Sequence, residues 1–250
     1  MKKIFFIILS ILPIFSHSEI LKIGIQGEFP PFDYVENNQL KGFNVDFAKR
    51  ICEIINAKCQ LKQVPWVNMI KSVENGDIDV AVSLISITEE RKKLILFSHP
   101  YTHLAASFAA KKKQFLSTYI TQMDLKDKVV AYQSGTIYEK IVKERFPTIK
   151  SVGFNTQKEL YAALAESRVD AIFNDMVSTY EGFLKTSAGK NFEFIGSPVR
   201  DKKIQGDGEG VAVNLKNVTL INRINKAIDQ IQASGEYDQM SYKYFIFSIK

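Results

Sequence analysis

Residues 83–101, SLISITEERKKLILFSHPY, leave an apolar run and pass at once through Ser83, Ser86, Thr88, Glu89, Glu90 and Arg91. Hydroxyls, carboxylates and a guanidinium gathered at the end of a strand present polar groups to a ligand rather than build a core. Three other stretches repeat the pattern: Gln26 to Phe29, Gln133 to Thr136, and Asn174-Asp175 each close an apolar segment. In open α/β sheets ligands bind beyond the carboxyl ends of strands. Two such sheets facing one another would bring these four polar points to one cleft. The chemistry on offer is recognition. No Ser-His-Asp or Cys-His arrangement has supporting context. His99 and His103 have i, i+4 spacing, but Pro100 separates them and no HExxH or third ligand is near. The run Gly206-Asp207-Gly208-Glu209-Gly210 lacks the Lys-Ser/Thr of a phosphate loop and reads as a flexible return of the chain.

Periodicity supplies the elements that must hold these groups. Leu21–Ile25 alternates as a strand. Asn44 can cap a helix whose apolar positions Phe47, Ala48, Ile51, Ile54 and Ile55 share a face. Strand Gln60–Val64, helix Val67–Glu74 closed by Asn75-Gly76, and strand Ile78–Ile85 follow. The second half repeats the plan: strand 128–132, helix 138–145, strand 151–154, helix 158–166, strand 169–174. Helices are also expected at 217–231 and 237–247. The segments MIKSVENGDIDVAVSL and LYAALAESRVDAIFND match in architecture, each a helix, a short turn and a buried strand that ends polar. A β-α-β-α-β series favours mostly parallel sheets covered by helices, here in two like α/β lobes.

The chain has 250 residues, 46% hydrophobic and 24% charged, enough for one large or two small domains. Lys2 and Lys3, the apolar stretch Ile4–Phe15 and Ser16-His17-Ser18 form a secretory signal peptide cut after Ser18. About 12 apolar residues are too few for a membrane span. Removal of this segment lowers the formal charge of +6 by two. The remaining excess lacks the clustered basic and aromatic footprint of a nucleic-acid binder. An exported chain can oxidise Cys52 and Cys59. On one unbroken helix they would stand about 10 Å apart along the axis, beyond the roughly 7 Å that a disulfide spans. A bridge therefore requires the helix to end between them, near Asn56-Ala57. Two buried thiols are the other reading, and the spacing is too long for a CxxC redox site.

FPPFDYVENNQLKGFNVDFAKRIC, DIDVAVSLISITEERKKLILFSHPY, AYQSGTIYEK, RVDAIFND and KKIQGDGEGVAV together resemble the periplasmic solute-binding proteins of polar amino acid ABC transporters, above all the lysine/arginine/ornithine and histidine binders. The resemblance runs from about Leu21 to Phe247. It implies the type II periplasmic binding protein fold, with two α/β lobes joined by a two-strand hinge. Lobe 1 would hold 19–107 plus 208–250, lobe 2 would hold 112–199, and 108–111 and 200–207 would be the hinge. The Cys52/Cys59 pair falls where the basic amino acid binders carry a disulfide. No cofactor is implied. The partners would be a free L-amino acid and a membrane permease, with the binding protein itself a monomer in the periplasm.

Carried over residue by residue, Arg91 falls on the carboxylate-binding arginine, whose planar fork makes two parallel charge-assisted bonds. Taken alone, an arginine in such a helix would simply be solvated. Gly135-Thr136 matches a second carboxylate contact at a helix start. Asp175 matches the acid that takes the α-ammonium, and it can also cap the following helix. Ser83 and Ser86 match strand-end contacts to the same end of the ligand. Phe29 and Trp66 match the aromatic pair around the ligand side chain. The chain departs from the pattern at Gln26, where the lysine/arginine/ornithine binders carry an Asp for the distal cation, at Leu84 in place of a Ser, and at Ile137 in place of a Gln. A basic amino acid, arginine first, is the expected ligand. Gln26 favours glutamine or another polar amino acid as the alternative. An enzyme of similar fold, cyclohexadienyl dehydratase, would need a general acid over a ring substrate, and no residue demands that role.

Overall fold

The computed structural model describes residues 18–250, so the signal segment lies outside the described residues up to His17. The first lobe opens with β1 (Glu19–Ile25), a small antiparallel meander of β2 (Glu28–Phe29), β3 (Asp33–Glu36) and β4 (Gln39–Lys41), and helix α1 (Phe43–Ile54). It continues through β5 (Ala57–Gln63), α2 (Trp66–Asn75), β6 (Val80–Ser86), α3 (Glu89–Lys92) and β7 (Ile95–Phe97). The second lobe holds β8 (Ala106–Lys111), β9 (Val129–Gln133), α4 (Ile137–Arg145), β10 (Lys150–Phe154), α5 (Gln157–Ala165), β11 (Ala171–Asp175), α6 (Met176–Thr179), β12 (Phe192–Val199) and α7 (Lys202–Gln205). The chain then returns to the first lobe for β13 (Glu209–Asn214), α8 (Val218–Ala233) and α9 (Glu236–Ser241). This is the two-lobed type II binding-protein fold.

Each lobe is a five-stranded sheet covered on both faces. The orders are β5-β1-β6-β13-β7 and β10-β9-β11-β8-β12. β5, β1 and β6 pair in parallel, as do β10, β9 and β11. In each sheet one strand, β13 or β8, is antiparallel to both neighbours. These are the strands that enter from the other lobe. They arrive at the carboxyl ends of the parallel strands, where the cleft lies, and so must run backwards. Every residue of β6 is buried, as expected of a central strand with a helical layer on each side. Leu220, Ile221, Ile224, Ala227, Ile228 and Ile231 bury one stripe of α8 in the first-lobe core.

α2 closes as the sequence suggests, on Gly76 in the left-handed region at φ 80°. α1 does not start as expected. Its N-cap is Gly42, at φ 116°, where a Cβ would come within 2.4 Å of the Phe32 carbonyl. Asn44 instead lies inside the helix and turns its amide to buried groups. α1 ends before Asn56, and Cys52 and Cys59 form a disulfide with 5.9 Å between Cα atoms, tying the helix to β5.

Three expectations need correction. Residues 108–111 are not a crossing: they lie inside β8, hydrogen-bonded to β11 and β12. The chain leaves the first lobe through 102–105, and it returns through 206–208, because Ile204 of α7 still packs in the second-lobe core. Nor is the glycine run a loose return. A Cβ on Gly206 would fall 1.9 Å from the Ile87 carbonyl, and one on Gly208 would fall 2.8 Å from that of Thr102. Glu209 N–H donates to Thr102 O at 2.9 Å, and Tyr101 N–H donates to Glu209 O at 2.9 Å, so the two passages are stitched together. The final helix is also shorter than its periodicity suggested, ending at Ser241. Beyond it Phe245 and Ile249 are buried, and the Ile249 carbonyl accepts from His103 N–H at 3.2 Å, holding the tail against the first passage.

Candidate functional site

One cavity between the lobes gathers Gln26, Phe29, Trp66, Ser83, Ser86, Arg91 and Thr136, with about 390 Å³ of empty space including its mouth. The first lobe contributes the ends of β1, β6 and α3. The second contributes the β9–α4 turn. Gly135 lines the adjoining opening beside Arg91 and Thr136.

Arg91 spans the junction. It sits in α3, whose N-cap Thr88 accepts from the Arg91 backbone N–H at 3.3 Å. Its Nη1 donates to the Ser86 carbonyl at 3.1 Å and its Nη2 to the Gly135 carbonyl of the second lobe at 3.4 Å. Its guanidinium lies 5.4 Å from the centre of the Trp66 ring. Burial lowers its pKa to about 10, so it stays a cation at neutral pH. Among the described residues these two bonds use two of the five N–H donors of a guanidinium.

Thr136 is the N-cap of α4, but its hydroxyl donates backward to Gln133 O at 2.7 Å instead of capping the helix. The Gly135 N–H is taken by Glu139 at 2.8 Å. The start of α4 has no side-chain cap, and Thr136 and Ile137 at that start line the cavity.

Ser83 is held by a network that sequence reading missed. Its Oγ donates to Asp33 Oδ2 at 2.9 Å and accepts from Gln26 N–H at 2.9 Å. Asp33 also accepts from Gly27 N–H at 2.8 Å and from Asn44 Nδ2 at 2.7 Å. Tyr101 closes the set, donating to Asn44 Oδ1 at 3.0 Å and accepting from Leu84 N–H at 3.2 Å. Burial pushes the Asp33 carboxyl up to about 6, outweighing these hydrogen bonds. Because its proton is committed to Asp33, the Ser83 hydroxyl offers the cavity only an acceptor. Leu84 stands beside it at φ 51°. A left-handed leucine within a strand costs on the order of 1 kcal/mol. Such strain collects at functional sites, and no propensity signals it.

Asp175 is not among the residues lining the cavity. It is fully buried at the carboxyl end of β11, and its Oδ1 caps α6 by accepting from Ser178 N–H at 2.6 Å. Its Oδ2 has no hydrogen-bond partner among the described residues. Burial pushes this carboxyl up to about 6. Two lining residues feel its charge: burial first, then Asp175, raise the Tyr138 phenol and the Glu209 carboxyl. Glu209, Tyr138 and Leu104 are lining residues that the sequence reading did not assign to the site. The glycines around Glu209 were the available signal, since they mark close backbone approach. Among the described residues no group of three or more His, Cys, Asp or Glu side chains is placed to hold a metal ion, and no helix is long and apolar enough to cross a membrane.

Comparison with known proteins matches the fold and the length of the chain. Residues 21–247 fit the model of the bacterial extracellular solute-binding proteins, family 3. An L-arginine-binding protein of Pseudomonas aeruginosa is 33% identical over 241 residues, covering 95% of this chain and 92% of the relative. Among solved structures, a Salmonella typhimurium periplasmic binding protein described as highly arginine-specific superposes with a TM-score of 0.83 at 26% identity, covering 91% of this chain and 100% of the other. An ancestral arginine-binding protein bound to glutamine superposes with a TM-score of 0.81 at 30% identity, covering 92% and 99%. A family of solute-binding proteins sets aside the dehydratase alternative. With its two lobes, its interlobe cavity and a match over nearly the whole described chain, this protein belongs to the bacterial extracellular solute-binding proteins, family 3.

Proposed function

We propose that this protein is the periplasmic component of an amino acid ABC transporter, capturing a free L-amino acid between its lobes and delivering it to a membrane permease. The preferred ligand is a basic amino acid, arginine first. In this reading the chain is exported by its signal segment, cut after Ser18, and works as a monomer.

The observation that carries the reading is Arg91, which reaches from the first lobe to Gly135 of the second inside a cavity walled by both. A ligand carboxylate would take the remaining guanidinium donors and the N–H groups at the start of α4, around Thr136. Asp175 would turn its unpartnered Oδ2 to the α-ammonium, and the Ser83 oxygen and the strand end at Ser86 would accept at the same end. Phe29 and Trp66 would flank the side chain. A ligand that touches both lobes stabilises their closed arrangement, a hinge motion.

A second reading is a glutamine binder. Gln26 lines the cavity without charge, and the ancestral arginine-binding protein holds glutamine in its solved form. A thermal-shift screen of the common amino acids tests both. Stabilisation by arginine, lysine, ornithine or histidine is expected. A shift by glutamine alone would favour the second reading, and no shift by any amino acid would defeat both.

A further inference from the structure

Glu209 is the first residue of β13, placed where the two passages between the lobes are stitched together. It is 4% exposed, yet it lines the same cavity as Arg91. One of its oxygens, Oε2, accepts from Leu104 N–H at 3.3 Å. The carboxylate's other hydrogen bond comes from its own backbone N–H, and among the described residues it belongs to no ion pair. Arg91 and Glu209 form no ion pair among the described residues, though each feels the other's charge. The buried Asp175, with its unpartnered Oδ2, is close enough for the two carboxyls to repel.

We propose that Glu209 is a second acidic ligand-binding residue, acting with Asp175 to match the net charge of the amino acid accepted. The proposal rests on the amino-acid-binding reading. Its logic is a count of charges in a site closed to water, where an unpaired ion is strongly disfavoured. Arg91 answers the ligand carboxylate. Two acids then face the ligand's cations. A basic amino acid brings two cations and neutralises both. A neutral amino acid brings one, so Glu209 must hold a proton when such a ligand is bound. Gln26 supplies no charge, which leaves Glu209 as the acid in the lining able to answer a second cation.

The groups facing Glu209 favour this behaviour. Burial and the charge of Asp175 raise its affinity for a proton, while the Leu104 N–H and Arg91 oppose them. Tyr101, Tyr138 and Tyr237 feel its charge as neutral phenols, each pushed up by burial first, and His103 stands beside Gly208. The empty site can therefore store a proton on Glu209 that a cationic side chain expels.

The test compares L-arginine and L-glutamine by titration calorimetry on the parent and on Glu209→Gln. The glutamine side chain keeps an acceptor for Leu104 N–H, so a structural role for Glu209 survives the change. Arginine affinity is expected to fall by about tenfold or more, with glutamine affinity unchanged or raised. An unchanged ratio of the two affinities would overturn the proposal. On the parent alone, titrations near pH 6 in buffers of different ionisation enthalpy should show arginine releasing more protons than glutamine. Equal release would overturn it even if the variant failed to fold. A parent that binds neither ligand would instead defeat the amino-acid-binding reading.

Discussion

Arg91, in the first lobe, donates to the backbone carbonyl of Gly135, in the second, at 3.4 Å. A single side chain thus touches both walls of the cleft while its guanidinium rests against Trp66. Arg91→Ala removes the proposed partner of the ligand carboxylate and this bridge together. It should weaken arginine binding by about 2–4 kcal/mol, the range for a charged partner lost from a buried site. Arg91→Lys keeps the charge but loses the planar fork, and most of the loss should persist. Calorimetry on both variants checks this, and parent-like affinity in Arg91→Ala would sink the site assignment.

Ligand binding should weaken in acid. Asp175 is held at about 6 by burial, so below that pH it carries a proton that the ligand's α-ammonium, in the proposed binding mode, must displace. Arg91 remains charged throughout, and the ligand's own carboxyl ionises well below pH 5. The groups near Asp175 are the Ser178 N–H, Glu209, Tyr138 and Tyr161, and the two tyrosines stay neutral in this range. Displacing the Asp175 proton should lower affinity for glutamine, which leaves the Glu209 proton in place, about fivefold between pH 6 and pH 5, and affinity for arginine, which also expels that second proton, more steeply. Asp175→Asn should bind weakly and lose the slope for glutamine, while arginine keeps the share that comes from Glu209.

The polar strand ends, the disulfide and the stop of α2 were legible because each is written locally, whereas Phe29 and Trp66 were named only through the family resemblance. Gly76 ends a helix whatever surrounds it, and two cysteines bracketing a helix end can meet across it. Asp33 and Asn44 were not legible as site residues. Asp33 falls in a short meander and Asn44 looks like a cap, and only the fold brings them to Ser83, 50 and 39 residues away in sequence. Glu209 was read past because a glycine run suggests slack, whereas these glycines permit close packing. The crossing was misplaced because β8 is apolar along most of its length, and nothing in periodicity says which sheet receives such a strand.

A second bridge crosses the rim of the cleft: Glu90 of α3 pairs with Lys140 of α4. The hydrogen bond to Lys140 and its charge hold the Glu90 carboxyl below the usual range. Exposed pairs are worth at most about 1 kcal/mol, so Lys140→Glu should weaken ligand binding only severalfold while leaving ligand-free stability nearly unchanged. The effect should fade as salt screens the rim. Trp66 fluorescence, read during arginine titration at low and high salt, measures it: Trp66 is the only tryptophan and lines the site. Equal affinities for parent and variant at low salt would remove this pair from the closing mechanism.

Asp33→Asn separates the network's hydrogen bonds from its charge. Three donors converge on Asp33, from Gly27, Asn44 and Ser83. An asparagine has one acceptor oxygen, so either orientation sets an N–H against an N–H, at a cost of about 1–3 kcal/mol. Against this stands the burial of the parent's charge. The Asp33 pKa rises from 3.8 to about 6 on folding. Below pH 4 the group is protonated in both folded and unfolded chains, and its contribution to stability is intact. Between pH 4 and pH 6 only the folded chain keeps the proton, so stability falls as pH rises, by up to about 3 kcal/mol. The amide does not titrate. Its penalty should therefore be largest near pH 4 and shrink or vanish by pH 7. Denaturant titrations of ligand-free parent and variant at the two pH values decide the matter, and a penalty that grows toward neutral pH would show that Asp33 is stabilised as an anion.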